Sequence, residues 1–302
     1  MHLVGIDVGG TNFRVGVFSG QALLWEKRFE ADFSALCRTS QDAQASIMET
    51  MASAISEAIR VFPDIGAIGI GFPGFIDPAT MCIASSPNLP GLSNVDIAGP
   101  LSVRFRLPVI VENDALAAAY GEQVLGGHES LIYIGLGTGV GGGLILDGKP
   151  YPGEHGVAME IGHIIVDPGG RLCGCGNRGC LERYASASGV SISYQEQTGR
   201  QLSAKEIAGL AEAGDILAVS AFDLAGDRLG LALSHIVKVA DIAHVVVGGG
   251  LSEAWHWLEK PFRTRLEADL IPVLRGKCEV GVSKAQDRAG MLGAAELASN
   301  HF

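Results

Sequence analysis

Eight residues hold three of the six cysteines in the chain: Cys173-Gly174-Cys175-Gly176-Asn177-Arg178-Gly179-Cys180, with His163 ten positions before the first. Three thiolates and one imidazole make a Cys3His set that suits a closed, tetrahedral, structural zinc (Zn2+) site. The intervening glycines permit the sharp turns that would bring the sulfurs to one point. The alternative is a loop of free thiols, which leaves such tight spacing unexplained. Glu160 and Glu182 flank the cluster. With four better zinc ligands present, these carboxylates are free to meet a polar ligand, toward which the zinc would hold them.

The other cysteines, Cys37, Cys82 and Cys278, are scattered, which reads as a reducing compartment rather than a disulfide framework. A net charge of −11 with no basic run argues against nucleic acid or an anionic membrane as partner. An anionic substrate must then meet local positive potential, from backbone N–H groups or a metal. The start of the chain reaches Asp7 without a basic segment, unlike a signal peptide. No stretch nears ~20 uninterrupted apolar residues. A cytoplasmic protein is expected. Its 302 residues suffice for two lobes of roughly 100–200 each.

Periodicity predicts strands over 3–8, 14–18 and 22–30, with Gly9-Gly10-Thr11 as the first turn. Ile47, Met51, Ile55, Ala58 and Phe62 recur at helical spacing. A strand over 66–72 precedes a long loop system over 73–100, and a strand over 108–111 leads through Glu112-Asn113-Asp114 into an alanine-rich helix. The apolar run Leu3–Gly9 is then echoed by Leu131–Gly137, 128 positions downstream. This weak internal repeat falls where two lobes of similar topology would each begin. Helices are expected over 184–198, from a capping box at Ser203 and Glu206, over 215–240, from Ser252 and over 290–298, with a strand at 245–247. Alternating strands and helices give an α/β class.

The two glycine turns suggest phosphate binding. Gly9 and Gly10 would expose backbone N–H groups, with Thr11 and Asn12 adding side-chain donors, and Asp7 at a strand end could hold Mg2+. Gly137, Thr138, Gly139 and Gly142 include a literal G-x-G-x-x-G, but strand rather than helix follows, so a dinucleotide fold is rejected. For both turns a plain hairpin is the alternative. Gly248-Gly249-Gly250 would let a flat ring or ribose approach the backbone. Asp114 reads either as a helix N-cap or as a general base taking a proton from a hydroxyl that attacks phosphorus. His163 would bind zinc through one ring nitrogen and leave the other to a carboxylate or bound hydroxyl. Glu160 and Glu182 suit sugar hydroxyls.

Together Asp7–Arg14, Glu112-Asn113-Asp114, Gly135–Gly143, Glu160-x-Gly-His163, Cys173-x-Cys-Gly-x-x-Gly-Cys180-x-Glu182 and Gly248–Gly250 resemble, in order and over nearly the whole chain, the ROK family of bacterial sugar kinases and repressors. The resemblance implies the two-lobed actin-like ATPase (ribonuclease-H-like) fold, with duplicated βββαβαβα-type domains and an interlobe cleft that closes on substrate. The lobes would be 1–114 plus about 289–302, and 115–288 with the zinc loop. It implies ATP with Mg2+ as donor and a hexose as acceptor, glucose at its 6-hydroxyl foremost. N-acetylglucosamine, N-acetylmannosamine, fructose, mannose or allose are the alternatives, and a non-catalytic sugar sensor is a remote one. Asp114 becomes the base, and Asn113, Asp114, Glu160, His163 and Glu182 the sugar ligands, with Gly74 and the Ser85–Asn88 loop completing the pocket. Family habit implies a homodimer. No room precedes Asp7 for a helix-turn-helix of the DNA-binding members. The chain departs from the family at Ala115-Leu116, where glucokinase-like members often read Ala-Asn, and at 239–243, where an Asn-x-x-Asp-Pro-like sequence is replaced.

Overall fold

A computed structural model describes every residue except Gly10, Thr11, Ser40, Gln41, Asn88, Gln286, Asp287 and Phe302, and describes His301 by its backbone alone. The expectations for Gly10, Thr11 and Asn88 lie outside the described residues.

Strands β1 (His2–Val8), β2 (Asn12–Ser19) and β3 (Ala22–Glu30) run antiparallel in sequence. Helix α1 (Phe33–Thr39) follows and was not marked by periodicity. Helix α2 (Ala43–Val61) takes Asp42 as N-cap, whose side chain accepts from Ala45 N–H at 3.2 Å. Four of the five predicted face residues, Ile47, Met51, Ile55 and Ala58, are at most 1% exposed, whereas Phe62 is the C-cap and is half-buried. The Ile47, Met51 and Ile55 side chains each contribute about 1.5–3 kcal/mol by leaving water, Ala58 less. Strand β4 (Ile65–Phe72) pairs with β1 in parallel.

The stretch expected as loop carries structure of its own. Short strands β5 (Phe75–Ile76), β6 (Ile83–Ser85) and β7 (Ser93–Val95) make a three-stranded sheet, and helix α3 (Ala98–Phe105) follows. Ile76, Ile83 and Val95 point into the same core as α2. Strand β8 (Val109–Asn113) then joins β4 in parallel, and α4 (Asp114–Gly126) begins at its end. The first sheet is ordered β3-β2-β1-β4-β8.

The repeat is borne out in topology. β9 (Leu131–Leu136), β10 (Val140–Leu146) and β11 (Lys149–Pro150) correspond to β1–β3. After α5 (Glu182–Ala185), α6 (Ala187–Thr198), α7 (Ala204–Glu212) and α8 (Ile216–Ala240), strand β12 (His244–Gly248) pairs with β9 in parallel, as β4 does with β1. Helix α9 (Trp255–Asp269) leads to β13 (Glu279–Val282), parallel to β12, and α10 (Arg288–His301) ends the chain. The second sheet is ordered β11-β10-β9-β12-β13, repeating the first. The capping box at Ser203 and Glu206 is present. The expected helix over 184–198 is broken at Ser186, which caps α6.

The chain gathers into two compact units: Met1–Ser130 with Gly143–Ala158 and Ala285–Phe302, and Leu131–Gly142 with Met159–Lys284. The sequence reading divides the chain after Asp114, whereas α4 lies in the first unit beside α10. Glycines explain the closeness. A Cβ at Gly5 of β1 would overlap Met291 O of α10, and one at Gly121 of α4 would overlap Ala289 O. α10 therefore rests directly on sheet and helix backbone. Among the described residues no helix is long and apolar enough to cross a membrane.

Candidate active site

In the first unit, strand register gathers the acids. Asp7 on β1 pairs with Gly71 on β4, and Gly71 pairs with Glu112 on β8. Asp114 follows one residue beyond β8. A Cβ at Gly71 would lie 3.5 Å from Asp114 Cα, so the small residue lets the start of α4 come down over the strand ends. Gly290 of α10 does the same for Asp7: a Cβ there would lie 3.0 Å from the Asp7 carboxyl carbon.

The two readings of Asp114 are separated by its neighbour. Asn113 is the N-cap of α4: its Oδ1 accepts from Leu116 N–H at 3.0 Å, and its Nδ2 donates to Gly74 O at 3.0 Å. Asp114 is therefore relieved of capping and accepts local backbone bonds, from Ala115 N–H at 2.8 Å and from its own N–H. Burial raises the Asp114 carboxyl above the ordinary range, with the Ala115 N–H bond pulling the other way. Leu116 is buried in α4. Gly74 is tied to the site through its carbonyl. A Cβ on it would lie 2.8 Å from Ser85 O, and the Ser86 hydroxyl donates to Pro73 O at 2.5 Å. The stretch beside Gly74 is thus a fixed turn.

Glu112, given no role by sequence, is the unexpected member. Burial pushes its carboxyl up to about 7, opposed by a 2.8 Å bond from Asn113 N–H. A carboxyl held above its unfolded value favours the folded state below about pH 4.5 and withdraws that stability as pH rises through 7. Glu112→Gln should therefore gain on the order of 1–3 kcal/mol over the parent at pH 8 and little at pH 5. Urea unfolding at the two pH values measures it, and an equal gain at both would refute the burial argument.

In the second unit, His163, Cys173, Cys175 and Cys180 converge, their ligand atoms all within 4.8 Å of one another. Cys173 Sγ lies 3.7 Å from His163 Nδ1, and Cys175 Sγ 3.6 Å from Cys180 Sγ. Tetrahedral zinc with ~2.3 Å Zn–S bonds spaces its sulfurs by about 3.8 Å, so the donors fit. Without a cation the crowding is unfavourable: burial and then the neighbouring thiols push Cys180 up to about 12. With Nδ1 turned to the cysteines, His163 Nε2 faces Glu160 Oε2 at 3.8 Å, beyond hydrogen-bond range. The turns rely on Gly176 and Gly179, at φ +93° and +82°, whereas Gly174 is not left-handed.

The loop's base is held by residues the sequence reading did not single out. Arg171 bonds the Arg183 carbonyl at 2.7 Å and Ser193 at 3.1 Å, pairs with Glu196 and stacks 4.5 Å from the Tyr184 ring. The Tyr184 hydroxyl donates to Asp167 at 2.7 Å. These partners lie up to 25 residues apart in sequence, so no local pattern announces them.

The glycine turns have distinct characters. At the first turn Gly9 N–H donates to Asn12 O at 2.9 Å. In the second, the Gly137, Thr138 and Gly139 carbonyls accept from Ala187 N–H, Ser188 Oγ and Gly137 N–H respectively. Glu182 Oε2 accepts from Val140 N–H at 3.2 Å and lies where a Cβ on Gly139 would be. Gly248 and Gly249 have packing reasons. A Cβ on Gly248 would meet the Tyr133 hydroxyl at 2.5 Å, and Gly249 has φ +82°. A Cβ on Gly250 would meet nothing within 4 Å, which leaves that backbone approachable. α9 starts at Trp255 rather than Ser252, after a 3-10 turn over Gly250–Ala254.

The model of the ROK family matches residues 3–301. A glucokinase of Thermotoga maritima is 32% identical, with 98% of this chain and 97% of that protein aligned. An N-acetyl-D-glucosamine kinase of Shigella boydii is 33% identical, with 97% and 98% aligned. The crystal structure of a ROK family glucokinase from Streptomyces griseus, in complex with glucose and AMPPNP, superposes with a TM-score of 0.84 at 31% identity, covering 99% of this chain and all of that one.

Proposed function

The chain belongs to the ROK family, and from that premise we propose that it is an ATP-dependent sugar kinase transferring phosphate to a hexose, glucose at its 6-hydroxyl foremost. It has the actin-like ATPase two-domain fold of ROK sugar kinases. The observation that carries the reading is Asp114: a desolvated carboxylate, relieved of capping by Asn113, directly after strand β8. A carboxylate whose proton affinity is raised by burial is a better base than an exposed one.

In this reading Asp114 takes the hydroxyl proton as the sugar oxygen bonds to phosphorus and the bond to ADP breaks. Glu160, Glu182 and His163 Nε2 bind the other hydroxyls, with Asn113 and Gly74 shaping the turn beside Asp114. The N–H side of the two glycine turns serves the phosphates, together with Asn12, and Gly248–Gly250 faces the nucleoside. Asp7 would hold Mg2+, which supplies charge neutralisation at the phosphates. Zinc would be held by His163, Cys173, Cys175 and Cys180 and supply stiffness alone, since four protein ligands leave no open position.

N-acetylglucosamine is the second reading, favoured by the 33% identical Shigella boydii kinase. A coupled ADP-release assay with ATP and Mg2+ over hexoses and N-acetylhexosamines should give strong turnover with glucose. Preference for N-acetylglucosamine would select the second reading, and ATP turnover indifferent to every sugar would overturn both.

A further inference from the structure

Glu182 is held at its backbone by neighbouring segments and at its carboxylate by the turn it touches. Its backbone is held on two sides: Leu181 N–H donates to Ile164 O at 2.9 Å, and Ser186 Oγ donates to Glu182 O at 2.7 Å. Its carboxylate oxygen Oε2 accepts from Val140 N–H at 3.2 Å. The turn is clamped in return by the start of α6, through Ala187 N–H to Gly137 O and Ser188 Oγ to Thr138 O, both 2.9 Å. Gly139 is what admits the carboxylate, because a Cβ there would overlap Oε2. The other oxygen, Oε1, has no protein partner among the described residues.

Resting on the sugar-kinase reading, we propose that the turn Gly137–Val140 is a positioning element for Glu182: Val140 N–H anchors Oε2 and Gly139 leaves the space, so that Oε1 is presented to a sugar hydroxyl. A turn expected from its glycines to serve phosphate alone then also sets the geometry of a sugar ligand. Pre-orienting a flexible carboxylate removes an ordering cost from binding. A sugar that engages Oε1 also holds Oε2 on the turn. Sugar and nucleotide affinities are therefore coupled, and reciprocally so.

Gly139→Ala tests this. The backbone at 139 is not left-handed, so alanine is tolerated there, and the atom in its way is the far end of a flexible side chain, which moves before the turn does. Calorimetry with glucose alone should show affinity falling by about tenfold or more, as when a charge-assisted hydrogen bond is lost. kcat at saturating glucose should change less than KM. The strengthening of AMPPNP binding by glucose should disappear. In a Glu182→Ala background the same alanine should alter glucose affinity less than twofold, because the side chain through which it acts is gone. Melting temperature and zinc content, unchanged by Gly139→Ala, establish that the fold persists. Glucose affinity within twofold of the parent in Gly139→Ala overturns the proposal, as does an equal loss in both backgrounds. A parent protein that binds no sugar and releases no ADP overturns the kinase reading and this inference together. A parent that binds sugar while Gly139→Ala is indifferent overturns this inference alone.

Discussion

Asp114→Asn is expected to lower turnover by about 10²–10⁴-fold while the sugar still binds. The substitution is nearly isosteric, and the asparagine Oδ1 can accept the Ala115 N–H bond now made by Asp114. The cap of α4 is untouched, since it belongs to Asn113. What disappears is the capacity to hold the hydroxyl proton. Stability should move in the opposite direction. Burial raises the Asp114 carboxyl, so the charged form costs folding energy at neutral pH, and the amide removes that cost. A variant that melts no lower than its parent, binds glucose within about tenfold and yet turns over slowly isolates chemistry from structure. The parent's kcat should also decline as pH falls through the raised Asp114 value, a limb that the asparagine variant lacks. Stopped-flow or steady-state ADP release across pH, with glucose calorimetry alongside, reads both effects. An unchanged kcat in the asparagine variant would remove Asp114 from the mechanism.

The parts of the protein legible in sequence are those whose reasons are local or repeated. Three cysteines in eight residues announce their convergence because the loop joining them is too short to take them far apart. The echo of Leu3–Gly9 in Leu131–Gly137 carries into two sheets of matching strand order because both runs are central strands buried on two faces. Other features depend on distant contacts. Asn and Asp are both strong N-caps, and adjacent ones are separated only by the backbone that makes Asn113 extended and Asp114 helical. Glu112 carries no role in sequence because its burial is not visible there. The strands β5–β7 are two or three residues long, too short for an alternating pattern to register. β13 is an edge strand with mostly exposed residues and one glycine, so it lacks an apolar signature. Gly139 looks like a phosphate-turn glycine, and its contact with Glu182 lies 43 positions away, where no motif reaches. α4 falls in the first unit because α10, from the far end of the chain, packs against it through Gly121.

Cys175→Ser should abolish tight zinc retention and weaken glucose binding by about 10–100-fold, the range seen when metal-site partners are lost. The reason lies in how the zinc loop reaches the proposed sugar ligands. His163 closes a short 3-10 turn that begins after Glu160, and Cys180 stands two residues before Glu182. A zinc ion joining His163 to Cys180 therefore ties the two glutamates' backbones together, reinforcing the Ile165–Cys180 bridge and the Leu181–Ile164 bond. Without the metal, the base of the loop retains the Arg171–Tyr184–Asp167 contacts, so unfolding should be confined to the exposed tip. Arg178 is exposed in that tip and should become a trypsin site in the variant. The same cut should appear in parent protein treated with a strong chelator and vanish on adding zinc back. Because Asp114 lies in the other unit, KM for glucose should rise more than kcat falls. Metal analysis of gently purified parent protein should give one zinc per chain. Zinc-free Cys175→Ser protein with parental glucose affinity would show that the cluster plays no part in holding Glu160 and Glu182, and the stiffening role would have to be abandoned.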